Sequence, residues 1–270
     1  MTDAVVTIAD LSFAYRPGQW IVHDYSATVE KGGIFALLGP NGRGKTTLLK
    51  LLLGALKPTA GRVSVRGQIA FVPQLFQVSF DYSALDMVLM GRAKKVGLFS
   101  QPSRADEEAS LAALDRFGVA HLAKRPFQEM SGGQRQLVIF ARALVAEADI
   151  LVLDEPTSAL DLENQLLVLD RIAALSCDDG LTIVMTTHHP HHALAVADHA
   201  MLMRGPSDYS VGPVDEILSE ENLTSLYGVP LKRIAVEHGG KSIETVAPIM
   251  SPRGRRNRRE ESGATIEWTA

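Results

Sequence analysis

The stretch Gly39-Pro40-Asn41-Gly42-Arg43-Gly44-Lys45-Thr46-Thr47 fits the pattern G-x-x-x-x-G-K-[ST], with Gly39, Gly44, Lys45 and Thr46 on its fixed positions. It constrains the chain because it works only between a buried strand and a helix. Both flanks comply. Ile34 to Leu38 is a short apolar run, as a parallel strand covered on both faces requires, and Thr47 to Leu56 has a leucine-rich helical period. Glycines let successive backbone N–H groups turn inward toward an anion, and the following helix adds its positive dipole end. On that geometry Lys45 reaches the outer phosphates and the Thr46 hydroxyl takes a place on Mg²⁺. The stretch predicts a nucleoside triphosphate site built from Gly39 through Thr47.

A chain of 270 residues that is 46% apolar can bury a full core, as one large domain or two small lobes. A formal charge of -4 argues against a general nucleic-acid binder. Cys177 is the only cysteine, which excludes an internal disulfide and fits a reducing compartment. No basic-then-apolar leader opens the sequence, and no apolar run reaches the ~18 residues of a membrane span. The expected location is the cytosol, unless a partner holds the protein at a membrane.

Val5 to Phe13 and Ile21 to Val29 read as strands separated by Arg16-Pro17-Gly18, and Arg62 to Val65 and Gln68 to Val72 as two shorter ones. From Leu75 to about Ala146 the period becomes helical, clearest over Ser83 to Met90 and Ala105 to Phe117, which suggests a separate helical lobe. Continuous apolar runs return at Ile150 to Leu153 and Leu181 to Thr186, with helices between. That alternation is α/β with a mostly parallel sheet. From Gly239 periodicity is lost, and Arg253 to Arg259 holds five arginines, so residues 239–270 read as a basic tail without fixed structure.

Two further stretches carry chemistry. In Ile150-Leu151-Val152-Leu153-Asp154-Glu155-Pro156 an aspartate ends an apolar strand, the place from which a carboxylate holds Mg²⁺ beside a phosphate loop. Glu155 is then placed to polarise a water for attack on the γ-phosphate. Ser131-Gly132-Gly133-Gln134-Arg135-Gln136 opens a helix with free N–H groups, a second anion site in the same chain. One nucleotide has no obvious need of both.

The Ser131-Gly132-Gly133-Gln134 helix start resembles the signature of the ATP-binding cassette (ABC) family, and the likeness extends over about Val5 to Val229. It implies a P-loop NTPase fold with a RecA-like α/β core, an antiparallel β subdomain and a helical lobe at about 75–146, the cassette filling 1–238. It implies ATP and Mg²⁺ as ligands and a second copy packed head to tail, each signature closing on the other copy's γ-phosphate. By the same likeness Tyr15 stacks on adenine, and Gln74 senses Mg²⁺ and the attacking water. His188 contacts the γ-phosphate, and Ser158-Ala159-Leu160-Asp161 is the loop that signals across the dimer. Thr46, Gln74 and Asp154 are then the metal partners. Tyr15 taken alone equally fits a strand-edge tyrosine.

Met130 stands where the family has Leu, and Arg43 at a variable loop position is read as facing solvent. His188, His189, His191 and His192 crowd one helix start; water-exposed histidines are the favoured reading over a metal site. Ser83 to Arg92 and Glu216 to Pro230 are similar to metal-chelate importer cassettes, which serve iron complexes, haem, cobalamin or molybdate. That likeness implies import powered by ATP-driven dimer closure, two integral membrane permease subunits, indirect coupling to a substrate-binding protein, and a peripheral place on the cytoplasmic face of the inner membrane. An ABC export subunit and a soluble ATP-driven clamp in DNA repair or translation are the alternatives. The surface from Phe76 to Leu98 is expected to receive a helix of the membrane subunit, with Phe76, Phe80, Tyr82 and Leu85 as floor or as ordinary core.

Overall fold

The computed structural model describes residues 3–74, 76, 80–96, 101–158 and 160–249. The chain opens with a long antiparallel pair, β1 (Ala4–Arg16) and β2 (Gln19–Glu30), and β3 (Ile34–Leu38) then leads through the glycine-rich loop into α1 (Lys45–Leu52). β4 (Ala60–Val65) returns to pair with β1, and β5 (Ile69–Val72) starts the second sheet. Four helices follow: α2 (Ala84–Leu89), α3 (Ala93–Val96), α4 (Arg104–Arg116) and α5 (Gly132–Leu144). Strands and helices then alternate through β6 (Ile150–Leu153), α6 (Leu162–Cys177), β7 (Thr182–Thr187), α7 (Pro190–Val196), β8 (His199–Met203) and β9 (Tyr209–Pro213). The described chain closes with α8 (Val214–Ile217), α9 (Glu220–Tyr227), β10 (Leu231–His238) and β11 (Lys241–Pro248).

Among the described residues the strands form three sheets. The largest has the order β5-β6-β7-β3-β8-β9, parallel except for β9, which runs against β8. Its inner strands are the apolar runs of the sequence, and β3, β6 and β7 are buried at every residue. The period of two divides each of them between two cores. Ile34, Ala36 and Leu38 face the core shared with the helical lobe, while Phe35 and Leu37 face the core under the antiparallel sheet and α1. A slip of one residue would exchange the two sets, so both cores together pin the register that places the loop after Leu38.

Capping boxes set the helices of the lobe. Ser83 with Asp86, Ser103 with Asp106 and Ser131 with Gln134 each close a reciprocal bond between cap and third helical residue. Helices α2, α4 and α5 then pack on one another, with Met87, Leu114 and Phe140 fully buried among them.

One expectation fails at the C-terminal end. Residues 241–248, read as part of a structureless tail, form β11 and pair along their whole length with β10. Gly239 and Gly240, at φ of 61° and 76°, make the two-residue turn that joins them, a turn that favours glycine at both positions. Val246 and Leu231 are buried in the same core as Leu223 and Leu226 of α9. The arginine-rich stretch 253–259 lies outside the described residues.

Candidate functional site

Gly44 is the hinge of the phosphate loop. It caps α1 at φ 90°, and a Cβ there would sit 2.7 Å from Ile21 Cγ2. Both conformation and space therefore demand glycine. The next residue, Lys45, is buried, and its ammonium donates to the carbonyls of Gly39 at 2.6 Å and Pro40 at 3.3 Å. The same Nζ lies 3.3 Å from Glu155 Oε1. Phosphate oxygens would enter a loop whose cation is already aimed inward.

The carboxylates after β6 are held from two sides. Thr46 Oγ1 donates to Asp154 Oδ2 at 3.1 Å, and Thr186 Oγ1 of β7 donates to Asp154 Oδ1 at 2.7 Å. The Thr186 oxygen also accepts the Glu155 N–H at 2.8 Å. Glu155 takes a left-handed backbone at φ 49°, uncommon for a residue with a side chain, and only 7% of it is exposed. Its Oε2 faces His188 Nδ1 at 2.7 Å. A carboxylate only accepts, so the His188 Nδ1–H donates in that contact. Its Oε1, although near Lys45 in the ion pair, has no partner with hydrogen-bond geometry.

One cavity of about 320 Å³ is lined by Asn41, Gly42, Lys45, Thr46, Gln74, Glu155 and His188. Thr46 Oγ1 and the Asp154 carboxylate are hard oxygen donors in mutual contact, which suits Mg²⁺. Gln74 borders the cavity and donates from Nε2 to Ser158 Oγ at 3.2 Å, and Ser158 in turn donates to the Glu155 carbonyl. Asp161 caps α6 by accepting the Asn164 N–H, and Leu160 is buried; Ala159 lies outside the described residues. Tyr15 is 57% exposed, set edge-on to Phe13, with its hydroxyl 3.3 Å from Thr47 Oγ1. Arg43 is exposed, as read, and Met130 is buried in the main core.

The helix start at Ser131 stands apart. Ser131, Gly132 and Gly133 do not line the cavity of Lys45. The Ser131 hydroxyl satisfies the Gln134 N–H, and the N–H groups of Gly132 and Gly133 are left by position without a helical partner.

The histidine cluster departs from the reading of water-exposed side chains. His191 is exposed, but His192 is 3% exposed and its Nδ1 meets Thr157 Oγ1 at 3.1 Å. Burial, with the neighbouring His191, His189 and His188, pushes the His192 imidazole down from 6.5 to about 3. Among the described residues no group of three or more His, Cys, Asp and Glu side chains is arranged to hold a metal ion. No sequence signal places Thr186, His192 or Tyr227 in the site: His192 is read among the exposed histidines and Tyr227 only as part of the importer-like stretch Glu216 to Pro230. Tyr227 donates its hydroxyl to the His188 carbonyl at 2.9 Å.

A wider groove of about 660 Å³ lies away from this chemistry, between β5 and the helical lobe. Phe71, Phe76, Met90, Lys94 and Arg142 line it, and the Arg142 guanidinium stands over the Phe76 ring at 4.7 Å. Of the four side chains expected as its floor only Phe76 lines it. Tyr82 and Leu85 pack against the main core, and Phe80 is exposed. Gly91 admits the close approach here, because a Cβ would meet the Arg142 carbonyl at 2.2 Å.

A profile described as ABC transporter matches residues 22–158. The chain is 42% identical over 226 residues to the molybdate import ATP-binding protein MolC of Haemophilus influenzae, covering 84% of this chain and 89% of that protein. With the manganese transport system ATP-binding protein MntB of Bacillus subtilis it shares 35% identity, over 83% of this chain and 92% of the relative. A solved structure of a metal-chelate type ABC transporter in an inward-facing conformation superposes with a TM-score of 0.87 at 39% identity, covering 92% of this chain and 98% of its own.

Proposed function

The chain belongs to the ABC transporter family, whose cassettes hydrolyse ATP to power transport, and from that premise we propose that it is the ATPase subunit of an importer for a metal chelate or a metal oxyanion. The relatives named for molybdate and manganese and the metal-chelate transporter support the direction and the class of cargo.

Glu155 carries the mechanistic reading. It is buried, fixed on one oxygen by His188, and its other oxygen has no hydrogen bond. That oxygen is the acceptor for the proton of an attacking water. The loop from Gly39 to Thr47 surrounds the phosphates, Lys45 neutralises the outer pair, and Tyr15 covers the base. Thr46, Asp154 and Gln74 would hold Mg²⁺, which draws charge from the β- and γ-phosphates when bound. The water oxygen bonds to the γ-phosphorus, its proton passes to Glu155, and the bond to ADP breaks. His188 Nε2 faces the γ-phosphate while Nδ1 keeps Glu155 in place.

The helix start at Ser131 supplies the remaining N–H donors from a second copy packed head to tail, since within one chain it does not border the cavity of Lys45. Ser158 links the dimer-facing loop to Gln74 and the Glu155 backbone. No helix among the described residues is long and apolar enough to cross a membrane. The transport path therefore belongs to two permease subunits, on whose cytoplasmic side this subunit sits, with a substrate-binding protein acting through them. The groove of Phe71, Phe76, Met90 and Arg142 is the surface that takes a helix of the permease. In the intact protein, Glu155→Gln should bind ATP, hydrolyse it about 10²–10⁴-fold more slowly, and sediment as a dimer with ATP. Turnover near wild type would remove Glu155 from the base role. A monomer at saturating ATP would remove the head-to-tail pairing.

A further inference from the structure

The carbonyl of His188 lies just past the end of β7, beyond the last ladder pair of Thr187 with Leu38. The next N–H, of His189, turns back to Thr187 Oγ1 at 3.0 Å, and Pro190 opens α7. The backbone of His188 therefore sits in a sharp corner outside the sheet, and its ring must nevertheless meet Glu155 at 2.7 Å. What holds the corner comes from far along the chain. Tyr227 ends α9, is half-buried, and donates its hydroxyl to that carbonyl at 2.9 Å.

We propose that Tyr227 is a positioning residue for ATP hydrolysis, fixing the His188 backbone so that its imidazole keeps Glu155 and the γ-phosphate side of the cavity in line. The inference rests on the reading of Glu155 and His188 as the hydrolytic pair. Three features of α9 make it a rigid arm for this purpose. Ser219 caps its start by accepting the Asn222 N–H, and Gly228 ends it in the left-handed conformation at φ 69°. Leu223 and Leu226 bury its inner face. Beyond it β10 and β11 pack behind α9 and α7, with Leu231 and Val246 in the same core. The C-terminal hairpin thus backs the arm that touches the catalytic corner. Burial, with the Glu155 charge second, raises the phenol's pKa, so the hydroxyl stays a donor.

The test is Tyr227→Phe in the full chain, which removes the hydroxyl and keeps the ring. Loss of one such hydrogen bond at a catalytic corner should lower kcat about tenfold and leave KM for ATP within about twofold. The imidazole resonances of His188, assigned by their loss in His188→Ala, should shift in Tyr227→Phe. A kcat within twofold of wild type overturns the proposal. So does a fall in kcat with unmoved His188 resonances, because general loosening of the fold would then be the cause. His188→Ala with wild-type turnover would instead remove the underlying pair, and the inference with it.

Discussion

Replacing Thr186 by Val takes one hydroxyl from the centre of the site and changes the side chain's shape very little. Thr186 is 0% exposed, so water cannot replace what is lost. Its oxygen donates to the Asp154 carboxylate at 2.7 Å and accepts the Glu155 N–H at 2.8 Å. A hydrogen bond to a charged group contributes about 1.5–3 kcal/mol, and a buried N–H left without a partner costs about 1–3 kcal/mol. Together the change should destabilise the protein by about 3–5 kcal/mol, a large part of the ~5–15 kcal/mol that holds a typical domain. Thr186→Ser keeps the hydroxyl and gives up one methyl group, a loss of about 1 kcal/mol. Urea unfolding of the intact protein measures both variants. Asp154 also belongs to the proposed Mg²⁺ set, so Thr186→Val should raise the Mg²⁺ concentration for half-maximal ATPase activity, with Ser close to wild type. A Val variant within 1 kcal/mol of wild type, or a Ser variant as damaged as Val, would refute the idea that one hydroxyl holds both the Asp154 carboxylate and the Glu155 backbone.

His192 should give the protein a pH-dependent stability. Its folded pKa, about 3, lies below the unfolded 6.5, so on acidification the unfolded chain binds the proton first. Its contribution is complete above pH 6.5 and is lost as pH falls from 6.5 toward 3, by at most about 1.4 kcal/mol per unit. His192→Asn, which keeps an acceptor for Thr157 and does not titrate, should gain about 1.4 kcal/mol on wild type between pH 7.5 and 5.5 in paired unfolding curves; a constant difference would contradict this. Ending the chain before Gly239 removes β11 and uncovers Leu231, and the lost burial of Val246 alone is worth about 1.5–3 kcal/mol, or about 3–12 °C in the unfolding midpoint. Ending it after Ile249 should leave both midpoint and ATPase activity unchanged, and calorimetry on the two truncations separates them.

The central sheet was legible because its inner strands β3, β6 and β7 are buried on both faces and so read as unbroken apolar runs. The phosphate loop, Asp154 and Glu155 stand at the ends of those runs, which is why their places in the fold could be read from order alone. The cross-links could not. Thr186 sits in Ile183-Val184-Met185-Thr186-Thr187, where threonine is an ordinary strand former, and only the neighbouring strand β6 makes its hydroxyl a bridge from the Asp154 carboxylate to the Glu155 backbone. Pro190 does open a helix, as an exposed helix start suggests, but α7 turns His192 and Ala193 inward together, and the face of so short a helix has no period to read.

The C-terminal misreading has a different cause. Gly239-Gly240 between two alternating stretches was a hairpin signal of the kind that favours left-handed turn residues. The cluster of arginines further on outweighed it, although charge at 253–259 says nothing about pairing at 241–248. Outward-facing Ile234, Val236 and Ile243 keep the hairpin apolar on the side away from the core, so its alternation was blurred where a half-buried strand is usually clearest. The hairpin lies behind α9, and α9 carries the tyrosine that reaches His188. The segment read as structureless therefore packs behind the helix that reaches the His188 corner, with Val246 in the outer layer and the Tyr227 hydroxyl at the end of the inner one.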